Sequence, residues 1–122
     1  MAGWRSVSLI ELYDEIYKTE KDLNGELWNF WKLIKIDPVK WTEAQYGTLG
    51  DGFWVVAICG TKVIWYNDIE HGFNISNYNF YGEINGYFCN QDELNGAVTR
   101  LFGLVKFGGD IIGQGSAPIN PS

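Results

Sequence analysis

The stretch FWVVAICGTKVIWYN, residues 53–67, decides the fold. Two runs of aromatic and β-branched residues flank Gly60-Thr61, and glycine at the first of two central positions suits a type II′ turn. We therefore predict a β-hairpin. Its predicted pairs are Ile58 with Val63, Ala57 with Ile64, Val56 with Trp65, and Val55 with Tyr66. Both faces of the hairpin are apolar, so we expect it at the centre of a sheet covered on both sides.

One helix is predicted before this hairpin and one after it. Ser8, with a glutamate three residues later, has the spacing of a capping box, and apolar residues then recur with a period near 3.6 up to Asn24-Gly25. This pattern predicts a helix over residues 8–24. Asn90 and Glu93 repeat the capping spacing before a second apolar helical face, which extends to about residue 107.

The remaining segments are assigned from composition. Residues 26–36 (ELWNFWKLIKI) have a length that fits a helix or a strand, and their aromatic and isoleucine content favours a strand. Residues 39–46, after Pro38, fit a short edge strand. Residues 68–79 are rich in asparagine and predict an ordered loop, whereas residues 80–89 predict a further strand.

The order α-β-β-β-β-α predicts an α+β fold. We expect an antiparallel-rich sheet of four to five strands, flanked by an N-terminal and a C-terminal helix on one face. Residues 1–107 would form a single domain and residues 108–122 a flexible tail of Gly, Pro, Ser and Asn. The other apolar face needs a cover: the chain's own segments, such as 26–46 or the tail, a second copy in a homodimer, or another molecule.

Composition limits the partners. The 122 residues carry 15 acidic and nine basic side chains, a net charge of −6, which argues against nucleic acid. No apolar run approaches the roughly 20 residues that span a bilayer, so no membrane association is expected. The N-terminus lacks a secretory pattern, and Cys59 and Cys89 fit buried reduced thiols, so we expect a cytoplasmic protein. No cofactor is implied.

Part of the chain resembles other proteins. Residues 63–74, VIWYNDIEHGFN, are similar to a W-Y-N-D-I-E-x-G-F-N stretch in a small group of uncharacterised bacterial proteins. Residues 52–58 and 89–92 fit the same resemblance, which covers roughly residues 39–102. The group has no known activity, so the resemblance implies a soluble bacterial protein and nothing about its chemistry.

Four residues could carry chemistry. Asp68, Glu70 and His71 lie together and could bind a divalent metal or act as acid and base. A single histidine excludes a His-rich metal site. The alternative is that Asp68 and Asn74 hydrogen-bond loop amides while Glu70 and His71 face solvent. Cys89 precedes the second predicted helix, where the helix dipole could lower its pKa with His71 as base; the alternative is a buried thiol. We predict neither a catalytic set nor a metal site.

Three classes of function remain. The first is a non-enzymatic protein-interaction module, for example a bacterial immunity-type protein that binds a basic partner. The second is a small-molecule or carbohydrate binder with a Trp-rich groove. The third is an enzyme that uses Asp68, Glu70, His71 or Cys89. The candidate binding residues are Trp54, Trp65, Asp68, Glu70, His71, Phe73 and Asn74.

Overall fold

The computed structural model describes residues 7–45 and 52–108, which form three helices and one five-stranded sheet. The elements are α1 (Leu9–Asp22), α2 (Gly25–Ile34), β1 (Lys35–Glu43), β2 (Phe53–Cys59), β3 (Lys62–Asn67), β4 (Gly72–Asn77), β5 (Glu83–Ile84) and α3 (Leu94–Phe107). The strand order is β4-β3-β2-β1-β5, antiparallel except for the parallel β1–β5 pair. The predicted α+β class is confirmed, and the sheet is mixed.

The central hairpin is confirmed. Gly60 has a φ of +62° while Thr61 does not have a positive φ, as a type II′ turn requires. Ile58 and Ala57 pair as predicted. Beyond them the predicted register is wrong by one residue, because a bulge at Val56 leaves Val55 opposite Trp65. The bulge turns both Val56 and Ala57 toward the helices.

The strand predicted for residues 26–36 is wrong, because this segment forms α2. Its buried residues Phe30, Trp31 and Ile34 lie at helical spacing, so one face of a helix buries them together. This packing outweighs the β-propensity of the aromatic residues. The predicted helix over 8–24 is confirmed as α1, with the full capping box between Ser8 and Glu11.

The assignments between β3 and α3 need correction. The predicted loop over 68–79 contains β4, and the predicted strand over 80–89 is irregular apart from the two residues of β5. Asn90 is not the cap of α3, which begins after Glu93. The strand predicted over 39–46 corresponds to β1, which begins earlier, at Lys35, and ends at Glu43. Its predicted position at a sheet edge is wrong, because β1 lies between β2 and β5. Pro38 lies where the β1–β2 register shifts, so it interrupts no regular ladder.

All three helices pack on one face of the sheet. They bury Val56, Ala57, Ile64, Phe73 and Ile75 in what we call the helix-side core. The opposite face carries a second cluster, the outer core. It consists of Trp41, Phe53, Val55, Val63, Trp65 and Ile84, with partly buried Tyr78 and Tyr87 packed against it. Residues 78–87 therefore contribute to the cover of this face, which agrees with the predicted alternative of a cover by the chain itself. The segments named in that prediction were residues 26–46 and the tail, so the covering segment differs.

Two further predictions concern the C-terminal domain boundary and membrane association. α3 ends at Phe107, close to the predicted domain boundary, and the tail beyond Gly108 lies outside the described residues. Within residues 7–45 and 52–108, no helix has the length and apolar character needed to cross a membrane.

Candidate functional site

A cleft of about 640 Å³ lies between α1 and the turn that joins β3 to β4. A smaller cleft of about 320 Å³ continues it toward the residues before α3, and both clefts share Glu15, Tyr66 and His71. We call the two together the acidic groove. Among its described lining residues, six carboxylates face two lysines. These charged residues are Glu11, Asp14, Glu15, Asp68, Asp92, Glu93, Lys18 and Lys21.

Tyr66 lies at the junction of the two clefts. Burial raises the pKa of its phenol above the ordinary value of 10.0, and the negative charges of Glu15, Asp68 and Glu11 raise it further. The hydroxyl therefore stays protonated at neutral pH and can donate a hydrogen bond. An aromatic ring among carboxylates offers both a π face and negative charge to a cation. This part of the groove suits a Lys or Arg side chain.

Asp68 holds one wall of the groove in place. Its side chain is buried, and its Oδ2 accepts a hydrogen bond from the Val7 N–H at 2.8 Å. The capping box of α1 begins at the next residue, Ser8. Asp68 thus fixes the start of α1 against the β3–β4 turn, and it has a structural role besides its charge.

The β3–β4 turn is built by Asn67. Its Oδ1 accepts from the backbone N–H groups of Ile69 (3.0 Å) and Glu70 (3.2 Å), and its carbonyl accepts from the His71 N–H (2.7 Å). His71 has a φ of +63° and an exposed side chain at the junction of the two clefts. Within the described part of the chain, no three His, Cys, Asp or Glu side chains are arranged to hold a metal ion.

The structure separates the seven predicted binding residues. Asp68, His71 and Phe73 line the acidic groove. Trp65 and Asn74 are fully buried, so neither presents a surface to a ligand. Trp54 and Glu70 complete the set.

Trp54 and Glu70 are half-buried and do not line either cleft of the groove. The Trp54 Nε1 donates to the Val7 carbonyl at 3.3 Å, and the Lys40 Nζ lies 5.1 Å from its ring centroid. Trp54, like Asp68, therefore holds the backbone of Val7, just before α1.

The two cysteines are free thiols. Cys59 is half-buried, and burial raises the pKa of its thiol although nearby Lys62 opposes the rise. The burial predicted for Cys89 is wrong, because this residue is exposed. It also lies well before Leu94, where α3 begins, so it is not at the helix N-terminus, where the reactive-thiol hypothesis places it.

Sequence reasoning missed Tyr66 and the carboxylates of α1 as parts of one site. The charged face of α1 is visible in the sequence, but a charged helical face usually points to solvent. Only the fold shows that this face borders Tyr66 and the β3–β4 turn.

Comparison with models of protein families, with curated proteins and with solved structures finds no match.

Proposed function

We propose that the chain is a non-enzymatic protein-interaction module that binds a basic surface of another protein in the acidic groove. The observation that carries this proposal is the excess of negative charge around Tyr66, where six carboxylates and two lysines line the groove and one carboxylate, Asp92, is paired with Arg100. A groove with an excess of one charge accelerates encounter with a surface of the opposite charge. The net charge of −6 on the whole chain acts in the same direction.

The dimensions of the groove support a protein partner. A space of about 640 Å³ accommodates several side chains, and the neutral phenol ring of Tyr66 lies among the carboxylates. An Arg or Lys from the partner would stack on this ring and pair with Glu15. A bacterial immunity-type protein that captures a basic toxin is the concrete form of this proposal. We expect the encounter in the cytoplasm, where the free thiols of Cys59 and Cys89 would stay reduced.

The test is affinity capture from an extract of the encoding organism, with quantitative mass spectrometry. The wild-type chain is compared with the groove variant Asp14→Lys/Glu15→Lys, which changes two lining residues of the groove that are not among the buried residues of α1. The matched control is Asp37→Lys, which changes an exposed carboxylate on β1 outside the groove.

The proposal predicts a basic protein that the wild type and the control retain and that the groove variant loses. Moderate salt should also release it, because exposed charge pairs are screened. If the groove variant retains the same proteins as the wild type, the groove is not the binding surface and the proposal is wrong.

A further inference from the structure

A second cleft, of about 390 Å³, lies at the other edge of the sheet, where β5 pairs with β1. It shares no lining residue with the acidic groove. Its described lining residues are Thr42, Glu43, Ala44, Asn79, Phe80, Glu83, Ile84 and Asn85. We call it the aromatic cleft because two exposed rings, Phe80 and Tyr81, lie on the turn beside it.

The rings on this turn are unusually open to solvent. Phe80 is 69% exposed and Tyr81 is 71% exposed, whereas the neighbouring Trp41 is 2% exposed. The Tyr81 and Trp41 ring centroids are 4.8 Å apart in an edge-on contact. Trp41 thus holds one edge of Tyr81 in place while most of the Tyr81 side chain remains available for contact.

The turn itself is fastened at both ends. The backbone N–H of Tyr78 donates to the Thr61 carbonyl at 2.9 Å, and the Thr42 N–H donates to the Gly82 carbonyl at 3.0 Å. Inside the turn, the Glu83 N–H donates to the Phe80 carbonyl at 3.1 Å. The exposed rings therefore lie on a backbone that hydrogen bonds hold in place. A ligand that stacks on them would lose little binding free energy to ordering of this turn.

A buried carboxylate completes the cleft. Glu43 is 4% exposed, and its Oε1 accepts from the Gln45 N–H at 3.0 Å. Pairing of Glu43 with Ile84 in the β1–β5 ladder fixes its position. Glu83 supplies a second, exposed carboxylate, and among the described lining residues there is no Lys, Arg or His. An anionic ligand would meet only like charge here.

We propose that the aromatic cleft binds a neutral sugar ring. The apolar C–H face of the ring would lie on Phe80, which lines the cleft, with Tyr81 next to it on the same turn, and its hydroxyl groups would reach the polar side chains of the wall. The wall offers both donors and acceptors, since the exposed amides of Asn79 and Asn85 accompany the exposed Glu83 carboxylate. The several hydroxyl groups of a sugar use both kinds of partner, whereas the trimethylammonium group of choline has neither an N–H donor nor an acceptor atom.

The experiment is saturation-transfer NMR on the full chain with methyl glycosides of glucose, galactose, mannose and N-acetylglucosamine. Sodium glucuronate and choline chloride are the comparison ligands. We expect transfer to the ring C–H protons of at least one neutral glycoside and none to glucuronate. Phe80→Ala and Tyr81→Ala should each weaken binding about two- to tenfold, the range expected for one aromatic contact.

The control variant is Phe107→Ala, which removes a ring at the end of α3 that is at least as exposed as Phe80 and Tyr81. It should bind the glycoside as the wild type does. Absence of transfer to every glycoside overturns the proposal, as does unchanged affinity in both Phe80→Ala and Tyr81→Ala. Transfer to choline in place of the sugars also overturns it and indicates a cation site. Since the acidic groove lies at the other edge of the sheet, its capture experiment succeeds or fails independently.

Discussion

The side chain of Asn74 binds both backbone polar groups of Asn90. Its Oδ1 accepts from the Asn90 N–H at 2.9 Å, and its Nδ2 donates to the Asn90 carbonyl at 3.2 Å. Asn74 is fully buried in β4, one of the two edge strands of the sheet. The Asn74 side chain therefore satisfies both backbone hydrogen-bonding groups of Asn90, as a neighbouring strand would. It fixes the segment before α3 along this edge and shields the edge from other chains.

Asn74→Ala should destabilise the fold by about 1–3 kcal/mol, because it removes the partners of two backbone groups at a buried site. Urea denaturation followed by circular dichroism measures this change. Asn79→Ala, at an exposed asparagine on the next turn, should change the free energy of unfolding by less than about 0.5 kcal/mol. Equal effects of the two substitutions would show that the Asn74–Asn90 pairing does not stabilise the edge.

Gly72→Ala should be more damaging than Asn74→Ala. A Cβ at Gly72 would overlap the backbone of Asn90 and Gln91, which has no freedom to retreat while Asn74 holds it. We expect a loss of about 3 kcal/mol or more, the scale of severe overpacking. The measurement is the urea midpoint of the variant.

Gly103→Ala is the matched control for this substitution. No heavy atom lies within 4 Å of a Cβ at Gly103, and the residue is inside α3. Alanine there should stabilise the protein by up to about 1 kcal/mol, from helix propensity. If Gly72→Ala retains the wild-type midpoint, the close approach of β4 to residues 90–91 does not constrain the fold.

The parts of the fold that were predictable rest on local signals. The Gly60-Thr61 turn and the Ser8 capping box specify their structure within a few residues, and both are confirmed. The bulge at Val56 has no local signal, because it reflects which face the helices cover. α2 was misassigned because Phe30 and Trp31 have β-propensity, although their spacing with Ile34 already fits a helix.

The candidate site was less predictable. The sequence offers Asn74 and Asp68 as candidate binding residues, with hydrogen bonds to loop amides as the alternative. In the fold they bind the chain's own backbone, at Asn90 and Val7, over separations of 16 and 61 residues. Sequence spacing cannot show such distant partners. The groove around Tyr66 depends on the same long-range packing, so it appears only in three dimensions.

The stability of the wild type should fall above about pH 10 partly through Tyr66. Burial and the charges of Glu15, Asp68 and Glu11 raise its pKa in the folded chain. Between the unfolded and folded values the unfolded state binds fewer protons, so the free energy of unfolding decreases as pH rises. Tyr66→Phe should reduce this alkaline decrease. The measurement is urea denaturation of both proteins from pH 8 to about pH 11.

A companion variant tests the cause of the raised pKa. Glu15→Gln removes one negative charge near Tyr66, so the pKa of the phenol should move down toward its ordinary value. Phenolate absorbance is measured for the wild type and for Glu15→Gln, each with and without the added Tyr66→Phe change. The difference within each pair isolates the titration of Tyr66 from that of the other tyrosines. A pKa that does not move would place Glu15 outside the electrostatic reach of Tyr66.

The outer core depends on a hydrogen-bond relay through Ser76. The Trp65 Nε1 donates to the Ser76 Oγ at 2.9 Å, and that hydroxyl donates to the Gly86 carbonyl at 2.8 Å. The relay ties β3 to β4 and β4 to the segment that covers the outer core. Ser76→Ala should cost about 1–3 kcal/mol, because it removes a partner from two polar groups at a buried site.

A double-mutant cycle separates this relay from simple packing. Trp65→Phe removes the indole donor and keeps an aromatic ring against Phe53, whose centroid lies 4.8 Å from that of Trp65. If the Trp65–Ser76 bond contributes, the double variant should lose less stability than the sum of the single variants, by at least about 0.5 kcal/mol. Additive losses would mean that the two side chains stabilise the outer core separately. In that case the cover would depend on the packing of Tyr78 and Tyr87 rather than on the relay.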